Sequence, residues 1–170
     1  MRVKQSKQAG FSVVEVLVAT LIFMFGVVLV AELVPRAMRA NLNSRYDSSA
    51  VVIAERMLDQ MISQPLVSAN FVNSDGFGMN LGGAAGQQGS PIQVAGGRVS
   101  INWTAGAVGG YNLNYVDPDD ASRARYDIRW TVITTVQTGT PVGKRFIVGV
   151  WKRDPRTTST QVTVEAVQQR

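Results

Sequence analysis

Apolar residues run almost unbroken over residues 11–34, where only Glu15 and Glu32 carry charge. Ser12 and Thr20 are mild polar interruptions, and residues 16–31 hold no charge at all. A helix over this stretch is about 36 Å long, enough to cross a bilayer core of roughly 30 Å. The pattern then turns amphipathic. Met38, Leu42, Tyr46, Ile53, Met57 and Met61 recur at helical spacing, and Leu58 and Ile62 widen the stripe. Asn41, Arg45, Asp47, Glu55, Arg56 and Asp59 fill the other face. Pro35 is expected to kink this helix, and Pro65 to end it after about Ser63. Methionines at this spacing read as core filling rather than as a cofactor site or adaptable groove.

Residues 65–97 read as an irregular, glycine-rich surface loop, with eight glycines in 73–97. Alternation of period two follows. Val99, Ile101 and Trp103 share one strand face, and Tyr126, Ile128, Trp130 and Val132 a second. Phe146, Val148 and Val150 form a third, and Val162, Val164 and Ala166 a fourth. The string Gly139-Thr140-Pro141-Val142-Gly143 is expected to join the second and third strands as a hairpin. Antiparallel strands with one apolar face need a cover, and the amphipathic half of the helix supplies one. The expected class is α+β, with one long N-terminal helix packed on an antiparallel sheet of about four strands. Five segments result: a leader at 1–10, a transmembrane half-helix at 11–34, an amphipathic half at 35–64, the glycine-rich loop at 65–97 and a sheet head at 98–170.

Charge sharpens the N-terminal reading. Arg2, Lys4 and Lys7 supply three of the net +5 charges, so the chain beyond them carries only +2. These basic residues hold the leader on the cytoplasmic side and orient the helix with its C-terminus outward. The apolar run ends in Val30-Ala31-Glu32-Leu33-Val34-Pro35. That ending lacks the small-residue cut site of a secretory signal. Glu15 is costly where it stands, since an ionised group inside a hydrophobic span costs roughly 2.5–3.5 kcal/mol even on the lenient insertion scale. Glu32 has Arg36 four residues later, the favourable order for a helix pair. The two mark the outer interface and are candidates for a second helix contact.

Other chemistry is sparse. The chain has no cysteine and no histidine, which removes disulfides, thiolate sites and the commonest general base. Asp117, Asp119 and Asp120 cluster around Pro118 as weak calcium candidates, but the spacing completes no calcium loop. Lys144-Arg145 and Lys152-Arg153 read as solvated strand ends rather than a nucleic-acid patch. No phosphate-binding glycine motif is present. No catalytic residues and no cofactor are expected.

The leader end Lys7-Gln8-Ala9-Gly10, followed by Phe11 and by Glu15, resembles the type IV prepilin family, which includes the pseudopilins of type II secretion. The resemblance implies cleavage between Gly10 and Phe11 by a membrane aspartic peptidase that also N-methylates Phe11. It further implies that Glu15, then the fifth mature residue, meets the Phe11 amine of a neighbouring subunit. The fold it implies is the pilin fold. A looser likeness, carried by Ala54-Glu55-Arg56-Met57-Leu58 and by the strands at 126–132 and 144–151, is to PilV-type minor pilins and GspI-type minor pseudopilins. The expected function is that of a minor pilin-like subunit taking part in filament initiation. The alternatives are a type II secretion minor pseudopilin and a membrane-anchored binding or adhesion module. The expected partners are the prepilin peptidase/N-methyltransferase, other minor pilins or pseudopilins, and the inner membrane, without nucleic acid. The head is expected in the periplasm, then at the base or tip of a filament.

Overall fold

The computed structural model describes residues 10–118, 123–153 and 160–169. The chain divides into two compact units, residues 1–42 and 43–170. One helix, α1 (Val13–Ile62), runs through the division and passes Pro35 without interruption. Proline removes a single donor, so the bonds on either side of it continue the helix.

Within the first unit the side chains of α1 are exposed, Met38 and Leu42 included, at 64% and 48%. The expected stripe is therefore buried only further on, through Ala50, Ile53, Ala54, Met57, Leu58 and Met61. Tyr46 and Ile62 are partly buried at its ends. Met38 and Leu42 precede the unit that owns the core, so their spacing alone does not bury them. Ala50 and Ala54 belong to the stripe because a small side chain lets a helix backbone approach its cover.

The helix ends just before Pro65. The amide of Gln168 donates to the carbonyls of Ile62 (3.0 Å) and Gln64 (2.9 Å). It thereby satisfies acceptors that a helix C-terminus leaves open.

Among the described residues the second unit carries nine strands: β1 (Asn70–Val72), β2 (Gly78–Asn80), β3 (Gly86–Gly89), β4 (Ile92–Ala95), β5 (Arg98–Ile101), β6 (Asn112–Val116), β7 (Arg125–Gln137), β8 (Thr140–Lys152) and β9 (Val162–Gln169). The α+β class is as expected, and among the described residues the main sheet has five strands, in the order β3-β7-β8-β9 with β6 also on β7. All its pairings are antiparallel. Four of the nine strands lie in the segment expected to be a glycine-rich loop. There glycine permits close strand packing. Gly89 (φ 115°) brings β3 so near β7 that a Cβ would sit 2.6 Å from the Trp130 carbonyl oxygen. β6 was hidden because asparagines flank Leu113 in Asn112-Leu113-Asn114, and asparagine is a poor strand former.

Two further expectations are corrected. The β7–β8 turn is Thr138-Gly139, both at positive φ (49° and 81°), which is the backbone of a tight two-residue hairpin. Pro141, Val142 and Gly143 lie inside β8, at a bulge opposite Thr135 and Val136. The strand containing Val99 and Ile101 does not join the main sheet but pairs with β4 in a two-stranded ribbon.

One face of the main sheet buries Tyr126, Ile128, Trp130 and Val132 of β7 and Phe146, Val148 and Val150 of β8 in a single cluster with the buried stripe of α1. Trp130 donates its indole N–H to the Asn80 carbonyl at 2.8 Å. The opposite face is covered too. Ile101 is fully buried there, and a Cβ on Gly149 would lie 2.6 Å from Ile101 Cγ1. Beside it Asp127, 2% exposed, accepts from Arg129 at 3.1 Å and Arg153 at 3.0 Å. Arg129 also donates to the Ala105 carbonyl at 2.8 Å and stacks 5.0 Å from the Trp103 ring. Removing Asp127 would leave the buried Arg129 guanidinium without its counter-charge.

Gly149→Ala is expected to destabilise the head by about 1–3 kcal/mol, because Ile101 and Trp103 must move to admit one methyl group. Denaturant unfolding of the detergent-solubilised chain measures this, and an unchanged midpoint contradicts the packing described.

Candidate functional site

The start of α1 is built by Ser12. Its hydroxyl accepts from the Val14 N–H at 3.3 Å. Its carbonyl accepts from Glu15 N at 3.0 Å and Val16 N at 3.2 Å. Ser12 is thus the N-cap, and Glu15 stands at the third helical position. This is the Ser-x-x-Glu spacing of a capping box. Glu15 also sits in the first turn, where the helix dipole favours a negative charge. Part of the cost of this carboxylate is therefore offset within its own chain. Ser12, a mild polar interruption in the apolar pattern, carries its signal in its three-residue spacing to Glu15.

Phe11 precedes the cap and is 81% exposed. Gly10 has no atom within 4 Å of the position a Cβ would occupy, so its backbone is open to approach. Further along, Thr20 turns its hydroxyl back to the Val16 carbonyl at 2.7 Å, which satisfies it inside an apolar helix. Glu32 and Arg36 pair at 3.5 Å across one turn, with both side chains largely exposed. Exposed pairs of this kind contribute only about 0.3–0.5 kcal/mol. The helix contains a stretch long and apolar enough to cross a membrane, and none of that stretch is buried in the protein.

The head does not assemble the other candidates into a site. Asp119 and Asp120 lie outside the described residues. Among the described residues no group of three or more metal-type ligands occurs. Asp117 instead lies beside Arg56 on a groove of about 330 Å³ between α1 and β6. Arg56 donates to Asp75 and to the Tyr115 hydroxyl, both at 2.9 Å. Burial works against its charge, but the Tyr115 hydrogen bond and the nearby Asp75 and Asp117 carboxylates hold its pKa above the ordinary guanidinium value.

The basic pairs are split by strand alternation. Lys144 and Lys152 turn inward and are buried, whereas Arg145 and Arg153 point to the opposite face. Lys144 donates to the Ser68 carbonyl at 2.6 Å, and desolvation lowers its pKa. Lys152 lies 3.0 Å from the centre of the Tyr46 ring. Arg145 pairs with Glu165 at 2.6 Å. Neighbours in sequence, these cations form no common surface patch.

Residues 5–31 match the family model of the prokaryotic N-terminal methylation motif, a span that takes in Gly10, Phe11 and Glu15. No curated protein and no solved structure matches the chain. The motif is that of a type IV pilin-like or pseudopilin precursor, and it coincides with the capped start of the apolar helix.

Ser12→Ala is expected to fray the first turn of α1. Loss of an N-cap costs about 1 kcal/mol, or roughly a fivefold rise in amide exchange at Val14 and Glu15 in detergent micelles. Unchanged exchange contradicts the capping role.

Proposed function

We propose that this chain is a minor pilin-like subunit of a type IV pilus, anchored in the inner membrane by residues 11–34 with its head in the periplasm. The observation that carries the reading is the methylation motif at residues 5–31, placed where a basic leader meets a capped, membrane-length helix. In this reading the prepilin peptidase cuts between Gly10 and Phe11 and N-methylates Phe11. Gly10 suits the cut because no side chain hinders approach to the scissile bond.

Cleavage changes the electrostatics of the helix start. It creates an ammonium on Phe11, one helical turn before Glu15. Within one chain that pairing competes with the cap at Ser12. Between chains, the ammonium of one subunit meets the Glu15 carboxylate of another, and two charges that are each costly in hydrocarbon become one pair. Pairing of this kind sets helices in register, which is what filament initiation with other minor pilins requires. Glu32 and Arg36, one turn apart near the outer interface, are free to re-pair between helices at small cost because their mutual contact is exposed.

Glu15→Ala is expected to leave membrane insertion intact, since removal of a charge favours the apolar phase. Incorporation into filaments is expected to fall at least tenfold, measured by the ratio of the subunit in sheared filaments to that in membranes. Equal incorporation contradicts the pairing. Co-purification of the head with pilus subunits is the outcome expected of this reading; co-purification with type II secretion subunits assigns the chain to that filament instead.

A further inference from the structure

The main sheet has one short, guarded edge and one long, open edge. On one side of β7 lie β6 and β3, of five and four residues. Short strands are one of the devices by which proteins prevent edge pairing. On the other side the sheet ends at β9, eight residues long, which pairs with β8 alone among the described residues. The β9 sequence Val-Thr-Val-Glu-Ala-Val-Gln-Gln contains no proline, lysine, arginine or glycine. Its register with β8 has no bulge. Its single charge, Glu165, is already neutralised by Arg145 at 2.6 Å. Among the described residues none of the usual defences of an edge is present, and an undefended edge is a template for an added strand.

A second feature lies along the same edge. Thr163, Glu165 and Val167 share the face of the sheet that carries Arg145. There a groove of about 360 Å³ is lined by Thr163, Glu165, Arg145, Gly97, Arg98 and Val99. Arg98 is held at the mouth of this groove by the tight turn Gly96-Gly97, both residues at positive φ (58° and 75°), which closes the β4–β5 ribbon at the Ala95–Arg98 pair. Arg98 is exposed, and among the described residues it makes no ion pair. Two guanidinium groups thus face one carboxylate in the groove. Val167 adds an exposed apolar contact at 57%.

We infer that β9 is a docking edge for an extended segment of a different subunit, one that carries a carboxylate on the face turned toward Arg98. Main-chain hydrogen bonds along β9 supply the pairing. The second guanidinium selects an acidic residue, and Val167 selects an apolar neighbour on the same face. A second copy of this chain is the less favoured occupant. β9 against β9 brings two more guanidinium groups with each pair of Glu165 side chains, and leaves the excess positive charge unbalanced. The site is separate from the processed N-terminus, so its occupancy and the Glu15 pairing can fail independently.

A photo-crosslinking amino acid in place of Val167, in the full chain expressed in its own cells, tests this with the adduct mapped by peptide mass spectrometry. The expected adduct joins an acidic, strand-forming segment of another subunit. Arg98→Glu is expected to lower its yield at least fivefold without changing the melting of the detergent-solubilised chain. Val167→Lys, which places a guarding charge on the edge, is expected to abolish incorporation while leaving cleavage of the leader intact. An adduct to β9 of a second copy, an adduct to a helix, the absence of any adduct, or a yield unchanged by Arg98→Glu overturns the assignment.

Discussion

The α1 helix carries two burial patterns on one backbone, and the rest of the architecture follows from that constraint. Up to Val34 its side chains are apolar on every side and lie exposed on the isolated chain. Between Ala50 and Met61 one apolar stripe is buried against the sheet while the other side is exposed and mainly polar. The first pattern suits a solvent of lipid or of other helices, the second a half-solvated head. A helix apolar all round gains nothing from water, and among the described residues nothing covers this stretch. Such a helix suits a membrane anchor, and in the proposed reading it becomes an assembly element once covered.

Glu15 makes sense within that constraint. A carboxylate in the middle of the apolar run would oppose anchoring outright. At the third helical position it lies in the first turn, where the dipole of the helix start favours a negative charge. It is therefore tolerable before processing and only partly satisfied. The proposed cleavage after Gly10 supplies the missing cation from the backbone itself. The head contributes differently. Its core binds α1 through Met57, Met61 and the β7–β8 strands, while Gln168 of β9 caps the helix C-terminus. The last strand of the sheet and the C-terminal end of the helix are thereby tied.

Much of this was legible in the sequence, for physical reasons. The apolar run, the buried spacing from Ile53 to Met61 and the alternation in β7, β8 and β9 are long periodic signals, and they place the helix and the central strands correctly. The short strands were not legible. β3 is held against β7 by the close approach that Gly89 permits, and β1, β2 and β4 by short antiparallel pairings rather than by local propensity. The ribbon strand β5 shows the same limit: alternation identified Ile101 and Trp103 as inward-facing but could not say which sheet they cover. Polar burial was also invisible. Lys144-Arg145 and Lys152-Arg153 read as solvated strand ends, yet strand alternation turns Lys144 and Lys152 inward and buries them. At the N-terminus the proposed site rests on Gly10, Phe11 and Glu15, and the structure adds Ser12 as the helix N-cap beside them.

The mass of the mature N-terminus tests the central claim most directly. In a cell that contains the processing peptidase, the account predicts a chain that begins at Phe11 and carries an N-methyl group there. A membrane-embedded chain still beginning at Met1 under the same conditions contradicts it, because the cation proposed to answer Glu15 then never forms.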